Sequence, residues 1–304
     1  MTIAPHVLVT GASGFTGQHL VPMLQSRGYR VSGTGHGDCN GLACDTMDLT
    51  NPDQVDSIIQ RLQPDYVIHL AALSFVAHPT PEDFYRVNTL GTEHLLNALA
   101  KLQKPPRKIV LASTSNVYGR NQVAVQSESL CPLPVNHYGC SKLAMEHMAA
   151  NWFERLPILI TRPFNYTGPG QLPHFLVPKM VQHFAEKAST IELGNLDVAR
   201  DISDVRDICQ AYIALLESDS HSQAVNLCSG ASIHLRELME ILCQIAGYQI
   251  DIQVNPAFVR ANEIKSLRGD RLRLEQITGP LPTRPLRETL QDMLVAATHQ
   301  QPDI

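Results

Sequence analysis

A doubly wound α/β fold built on a parallel sheet follows from three features of the sequence. Short and almost wholly apolar runs recur, at residues 7–9, 66–71 (YVIHLA), 108–112 and 158–161, and strands without polar alternation are buried on both faces. Longer amphipathic segments lie between them, so strand and helix alternate for roughly two hundred residues. Residues 6–20 (HVLVTGASGFTGQHL) then supply the junction of the first pair, an apolar strand that breaks at three glycines and restarts as a helix.

In that junction Gly11 permits a tight turn, Gly14 lets backbone amides approach a pyrophosphate, and Gly17 lets helix pack against strand. This is the Rossmann-type dinucleotide fingerprint, and Ser13, Phe15 and Thr16 share its turn. Residues 29–34 read as the second strand. About 20 residues past the glycines a carboxylate would hold an adenosine ribose, but Gly35, His36 and Gly37 stand there, with no acid before Asp38. No Arg fork for a 2′-phosphate is present either, and His36 offers only a weaker donor, so NADP or NAD is expected with modest discrimination.

Residues 42–49 form a short strand ending at Asp48-Leu49, and a helix over 51–62 opens on an Asn51 cap with Pro52 in its first turn. The 66–71 strand belongs mid-sheet. Residues 81–102 are helical by period, and a Lys104-Pro105-Pro106 turn leads into the strand at 108–112. Pro132 and Pro134 keep the next stretch in a loop until a helix begins near His137 and runs to about Glu154. From Pro163 a cluster of Pro and Gly marks a change of domain. A helix over about 175–188 follows, then a helix at 204–216 and a strand at 224–228 that return to the sheet. Helices at about 234–247 and 284–297, around short strands, make a smaller C-terminal α/β substrate domain. The division expected is 1–165 with 200–228 for the dinucleotide-binding domain and 166–199 with 229–304 for the substrate domain.

The 304 residues are 44% hydrophobic and 17% charged, with a formal net charge of −5, enough apolar matter for a sizeable core and no basic field for nucleic acid or anionic membrane. No charged, apolar leader opens the chain and no apolar run reaches the roughly 20 residues a membrane span needs, so a cytoplasmic protein is expected. The seven cysteines lie apart without Cys-x-x-Cys spacing and read as reduced and structural. The thirteen histidines include no His-x-x-x-His pair, and no metal is expected.

Tyr138 and Lys142 stand four residues apart, on one helix face and about 6 Å apart in rise. A cation there lowers a phenol from its usual pKa of about 10 toward working pH, as general acid–base chemistry needs. Ser113-Thr114-Ser115 ends a strand at the sheet edge where open α/β sheets bind ligands, so a hydroxyl can meet the phenol.

GASGFTG, STSNVYG and YGCSK, in this order, resemble an extended short-chain dehydrogenase/reductase, and the resemblance covers nearly the whole chain. It implies Tyr138 as the catalytic acid/base, Lys142 as the residue that holds the nicotinamide ribose and tunes the Tyr, and Thr114 as the hydrogen-bond partner of the reacting oxygen. Thr114 is aligned by its distance to Val117-Tyr118-Gly119, with Ser113 and Ser115 as neighbours. Asp48 and Leu49 resemble the family's adenine contact, Leu70, Ala71 and Ala72 its fourth-strand loop, and Asn88 its helix asparagine; Arg162 joins the cofactor set.

The resemblance also implies a nucleotide-sugar substrate. RPFNYTGPGQ at 162–171 resembles the segment whose Asn, here Asn165, meets the sugar diphosphate. RDISDVRD at 200–207 resembles the one that brings an Arg, here Arg200, to it. Arg260 and Glu263 resemble the base clamp of GDP-sugar enzymes; a pyrophosphate suits a guanidinium fork, and a guanine edge suits a carboxylate. Dehydratases of the family carry an acid where this chain has Asn116, and an amide cannot serve as that base. Asn116 is therefore taken as a substrate contact, and ketone reduction or epimerisation remains. GNLDVARDISDVRD with RPFNYTGPGQ most resembles GDP-4-keto-6-deoxy-D-mannose reductases, which make GDP-D-rhamnose. A 4-epimerase with tightly bound NAD is the alternative, and a non-catalytic cofactor sensor would lack the Tyr or Lys, both present here. Leu95, Leu96, Leu99, Met145, Met148 and Trp152 spread over more than one helix face, and with the family's usual homodimer they predict a second subunit on these helices.

Overall fold

A computed structural model describes residues 4–35, 39, 41–42, 44–76, 78–121, 123–256 and 265–299. Among the described residues, β1 (His6–Thr10), β2 (Arg30–Thr34), β3 (Cys44–Asp45), β4 (Tyr66–His69), β5 (Lys108–Ala112), β6 (Ile158–Pro163) and β7 (Gln223–Leu227) form one parallel sheet. Its order is β7-β6-β5-β4-β1-β2-β3, with the YVIHLA strand at the centre as expected. The chain goes one way from β1 to β2 and β3, then the other way from β4 onward. That reversal opens a crevice beyond the carboxyl ends of β1 and β4, the place where open α/β sheets hold ligands.

Alternation decides which layer each strand residue joins. Val7 and Val9 face α1 (Phe15–Ser26), where they meet Leu20, Leu24, Ile208 and Tyr212, the last two from a helix over Val205–Glu217. Leu8 faces the other side, with Val55 and Ile59 of α2 (Pro52–Leu62) and Leu95 and Leu99 of a later helix. Both faces are covered, so β1 is buried at every residue. Asn51 caps α2 as the sequence predicts, its side chain accepting from the Gln54 N–H at 3.2 Å.

The predicted helix over 81–102 is three pieces: α3 (Pro81–Phe84), a π-helical turn over Tyr85–Leu90, and α4 (Gly91–Ala100). The helix near His137 is α5 (His137–Ala150). Leu95, Leu96, Leu99, Met145 and Trp152, which suggested a second subunit, lie in this chain's own core beneath the sheet, and Met148 packs at its margin. The extra apolar face is consumed within the chain because α4 and α5 pack on each other as well as on the sheet.

After β6, α6 (Leu176–Ala185) precedes α7 (Val205–Glu217); α8 (Leu235–Ala246), α9 (Leu272–Thr278) and α10 (Leu286–His299) follow β7. Val177 and Phe184 of α6, Leu238 and Leu242 of α8, and Leu290 and Met293 of α10 build a separate core. The sequence reading missed α9, whose Leu274 packs with α1 and α7. The expected strand over 42–49 is only Cys44–Asp45.

The cysteine reading needs correction too, because Cys39 and Cys44 form a disulfide. Leu42 donates its N–H to the Cys39 carbonyl at 3.1 Å and Gly41 takes a φ of +76°, so the chain doubles back and brings the two Cα atoms to 6.3 Å. No helix among the described residues is long and apolar enough to cross a membrane.

Candidate active site

The crevice is lined first by the glycine turn. Gly11 has a φ of +70°, and a Cβ there would come within 2.8 Å of the Ala71 nitrogen; at Gly17 it would come within 2.6 Å of the Ala12 Cα. The absent side chains let the turn sit directly on the loop after β4. Gly14 is the N-cap of α1 and offers no side-chain cap, so the first amides of the helix face the crevice. Ser13 lies against Gly35, Thr16 Oγ1 and the Tyr166 hydroxyl share a 2.8 Å hydrogen bond, and the Phe15 ring stacks on Tyr166 at 6.0 Å.

The facing loop, Leu70 to Ala72, is held by a buried relay. The Ala71 N–H donates to Thr10 Oγ1 (3.2 Å), Thr10 to His69 Nδ1 (2.6 Å), His69 Nε2 to Thr92 Oγ1 (3.0 Å), and Thr92 to the Asn88 carbonyl (2.7 Å). The last donation fixes the order of the rest, and His69 is thereby a neutral Nε2–H tautomer. Burial pushes its pKa down to about 3, with the Lys142 charge adding to the effect. Asn88, buried in the π-helical turn, accepts the Leu73 N–H (2.8 Å) and donates to the Leu73 carbonyl (3.0 Å) and Ser141 Oγ (3.1 Å).

This cradle fits a dinucleotide: a Cβ would fill it at Gly11 and Gly17, and uncapped helix amides suit a pyrophosphate. Gly11, Ser13, Gly14, Phe15, Thr16, Gly17, Leu70, Ala71 and Ala72 come together there. Asp48 is exposed and ties down Thr50, accepting its N–H at 2.8 Å and its hydroxyl at 2.7 Å. The Leu49 side chain is buried in the core. His36 lies outside the described residues.

Helix α5 supplies the chemistry. Asn136 caps it by accepting from the Gly139 N–H at 2.8 Å, and Tyr138, Lys142 and Glu146 then line one face at intervals of four. Each takes a partner from the end of β5. The Tyr138 phenol lies within the influence of the Thr114 hydroxyl, Lys142 Nζ donates to the Ala112 carbonyl at 2.7 Å, and Glu146 accepts from Ser113 Oγ at 2.5 Å. Of the three hydroxyl residues at 113–115, the geometry brings Thr114 to the phenol and commits Ser113 to Glu146.

Burial raises the Tyr138 phenol to about 12, with Thr114 pulling the other way. Burial also lowers the Lys142 ammonium to about 8, against the pull of Glu146. The expected lowering of Tyr138 by Lys142 is not seen in this structure, where burial sets the direction and the Lys142 charge is not among the influences on the phenol. The phenol keeps its proton at neutral pH, the form that can give one away.

Arg162 is not with the cofactor set. Its guanidinium is buried against Glu146, with Nη2 at 2.6 Å and Nε at 3.0 Å, and reaches the Tyr118 hydroxyl at 3.2 Å. Tyr118 in turn donates to Asn226 Oδ1 at 2.6 Å. Sequence reasoning missed Glu146, although a carboxylate four residues after Lys142 on a helix with apolar neighbours was a usable signal.

Among the substrate candidates, Asn116 and Asn165 are exposed, and Asn165 Nδ2 donates to the Asp201 carbonyl at 3.3 Å. Arg200 is half-buried, with Nη1 donating to the Ala199 carbonyl at 2.9 Å. Arg260 and Glu263 lie outside the described residues.

Comparison with known proteins accords with this geometry. The family model described as GDP-mannose 4,6 dehydratase matches residues 8–293. The chain is 40% identical to a GDP-6-deoxy-D-talose 4-dehydrogenase of Aggregatibacter actinomycetemcomitans, covering 90% of this chain and 91% of the relative. It is 34% identical to a GDP-6-deoxy-D-mannose reductase of Pseudomonas aeruginosa, covering 95% of each. The structure of RMD from Pseudomonas aeruginosa complexed with NADPH superposes with a TM-score of 0.86 at 32% identity, covering 98% of this chain and 99% of that one. The chain belongs to the GDP-mannose 4,6-dehydratase family of NAD-dependent epimerases and dehydratases, the extended short-chain dehydrogenase/reductases that its motifs resemble.

Proposed function

We propose that the chain is an NAD(P)H-dependent reductase of the C4 ketone of a GDP-linked 4-keto-6-deoxyhexose, GDP-4-keto-6-deoxy-D-mannose. The observation that carries this reading is the half-buried Tyr138 beside the Thr114 hydroxyl, with an amide rather than a carboxylate at position 116. NAD(P)H, when bound, supplies the hydride, and Gly11 to Gly17 with the loop at Leu70 to Ala72 would hold it. Tyr138 gives its proton to the ketone oxygen, Thr114 donates a hydrogen bond to the same oxygen, and Lys142 keeps a positive charge beside the phenol so that the anion left behind is stabilised. The GDP-sugar names of both relatives support the nucleotide, and the NADPH in the Pseudomonas structure supports the cofactor.

The motifs favour GDP-D-rhamnose as the product. The higher identity to a talose-type dehydrogenase supports a second reading, GDP-6-deoxy-D-talose. Talose and mannose differ only at C4, so one ketone serves both and the face that receives hydride decides. Nicotinamide absorbance should fall on mixing the protein, NADPH or NADH, and the GDP-4-keto sugar, and the C4 proton coupling of the product identifies the epimer. Oxidation with UDP- or dTDP-linked ketones but not the GDP-linked one would overturn the nucleotide. Bound cofactor without net consumption would indicate the epimerase. NADPH and NADH should differ by less than about a hundredfold in kcat/KM, near 2.7 kcal/mol. A homodimer through the helices around α4 and α5, with Leu90 exposed in the π-helical turn just before α4, completes the reading, and a monomeric mass by light scattering would remove it.

A further inference from the structure

The Thr114 hydroxyl has one proton and two lone pairs. It receives two hydrogen bonds from a single residue: the Asn116 backbone N–H donates to Oγ1 at 3.2 Å and the Asn116 side-chain Nδ2 at 3.0 Å. With both lone pairs engaged, Thr114 can only donate. The hydroxyl has little freedom to escape this arrangement, because Thr114 is buried and caps the 3₁₀ turn Ser115–Val117 in extended backbone. That turn is anchored in turn by Val117 and Tyr118, both fully buried, with the Tyr118 hydroxyl fixed on Asn226. Asn116 itself is exposed, so no packing demand requires an amide at this position.

We propose that Asn116 is a positioning residue that sets the polarity of Thr114, holding its hydroxyl as a donor aimed at the oxygen shared with Tyr138. This rests on the reductase reading. Ketone reduction builds negative charge on that oxygen, so a hydroxyl already committed to donation stabilises the product side without reorienting. A carboxylate at position 116 would reverse the arrangement: it has no side-chain N–H to give and would accept the Thr114 proton, turning the hydroxyl away. An aliphatic side chain would leave the hydroxyl free to point either way. The expected order of harm is therefore Asp worse than Ala, although Asp is the closer match to Asn in shape.

The test is a double-mutant cycle on NAD(P)H oxidation with the GDP-4-keto sugar, reading kcat and KM separately. Asn116→Ala should lower kcat by about tenfold or less and Asn116→Asp by about a hundredfold, with the sugar KM within about threefold in each. In a Thr114→Val background neither substitution should cost more than about twofold further, because the group through which Asn116 acts is gone. Thr114→Ser, which keeps the hydroxyl, should show the full Asn116→Asp loss. Equal losses from Asn116→Asp with valine and with threonine at position 114 would overturn the proposal, as would a loss confined to KM. Wild-type protein that never oxidises NAD(P)H would overturn the reductase reading and this role with it, whereas turnover with independent effects overturns the role of Asn116 alone.

Discussion

Tyr138 and Lys142 are displaced by the same cause with opposite signs, since burial favours the neutral form of each. At about 12 the phenol remains protonated throughout the neutral range, and at about 8 the ammonium is still largely charged at pH 7. Tyr138→Phe removes one hydroxyl, so folding and cofactor affinity should survive while kcat falls by about a hundredfold or more; near-normal turnover would end the assignment. His69 makes a prediction about stability. Its folded pKa of about 3 lies below the ordinary 6.5, so between those values the unfolded chain binds a proton that the folded chain refuses. Stability must fall as pH drops through this window, by up to about 1.4 kcal/mol per unit. Urea unfolding of His69→Gln should lack that one-proton slope between pH 4 and 6, and an unchanged slope would contradict the relay. The residue types of this site could be read from the sequence because their spacing is local. Arg162 was misplaced because its partner, Glu146, is sixteen residues away in sequence and meets it only when α5 crosses β6.

Helix α5 works as a ruler, placing an acid, a cation and a carboxylate one turn apart against three consecutive residues at the end of β5. Its last mark is structural. Glu146→Gln leaves the Arg162 guanidinium buried without its counter-charge, and breaking such a pair costs about 3–5 kcal/mol. The melting temperature should drop by several degrees, and an unchanged value would show the pair to be dispensable. The break in the predicted helix over 81–102 was not readable, since a π-helical turn keeps an ordinary apolar period on either side. Its wider turn at Tyr85–Leu90 accompanies the inward placement of Asn88, which then clasps the loop after β4. The apolar strands of the main sheet were legible, whereas the two-residue β3 and the short strands outside that sheet were not. Unbroken apolar runs mark a doubly covered sheet wherever they occur, but α9 is too short to declare a period.

At the scale of the molecule the main sheet and the later core meet at Asp201. Its buried carboxylate accepts from Ser229 N–H (2.8 Å), Ser229 Oγ (2.7 Å), Gly230 N–H (3.1 Å) and Gly269 N–H (3.1 Å). It stands between Ala199–Arg200, paired with Ser266–Gly269, and Ile202–Asp204, paired with Asn165–Thr167. Asp201→Asn cannot accept all four, so it should lower the melting temperature and raise the sugar KM more than the NADPH KM, because Asn165 rests on the Asp201 carbonyl. Equal effects on both substrates would show that the knot serves the whole fold alone. The alternation of strand and helix made the sheet predictable, but nothing local in RDISDVRD announces that its second residue gathers loops from 28 and 68 positions away. The Cys39–Cys44 bridge, for its part, settles how the protein can be handled at the bench. Of seven cysteines two are joined, Cys209, Cys228 and Cys243 are buried and Cys140 is half-covered, leaving Cys131 as the exposed free thiol. A maleimide dye added to the native protein should attach first at Cys131, and denaturation without reductant should raise the reactive count to five.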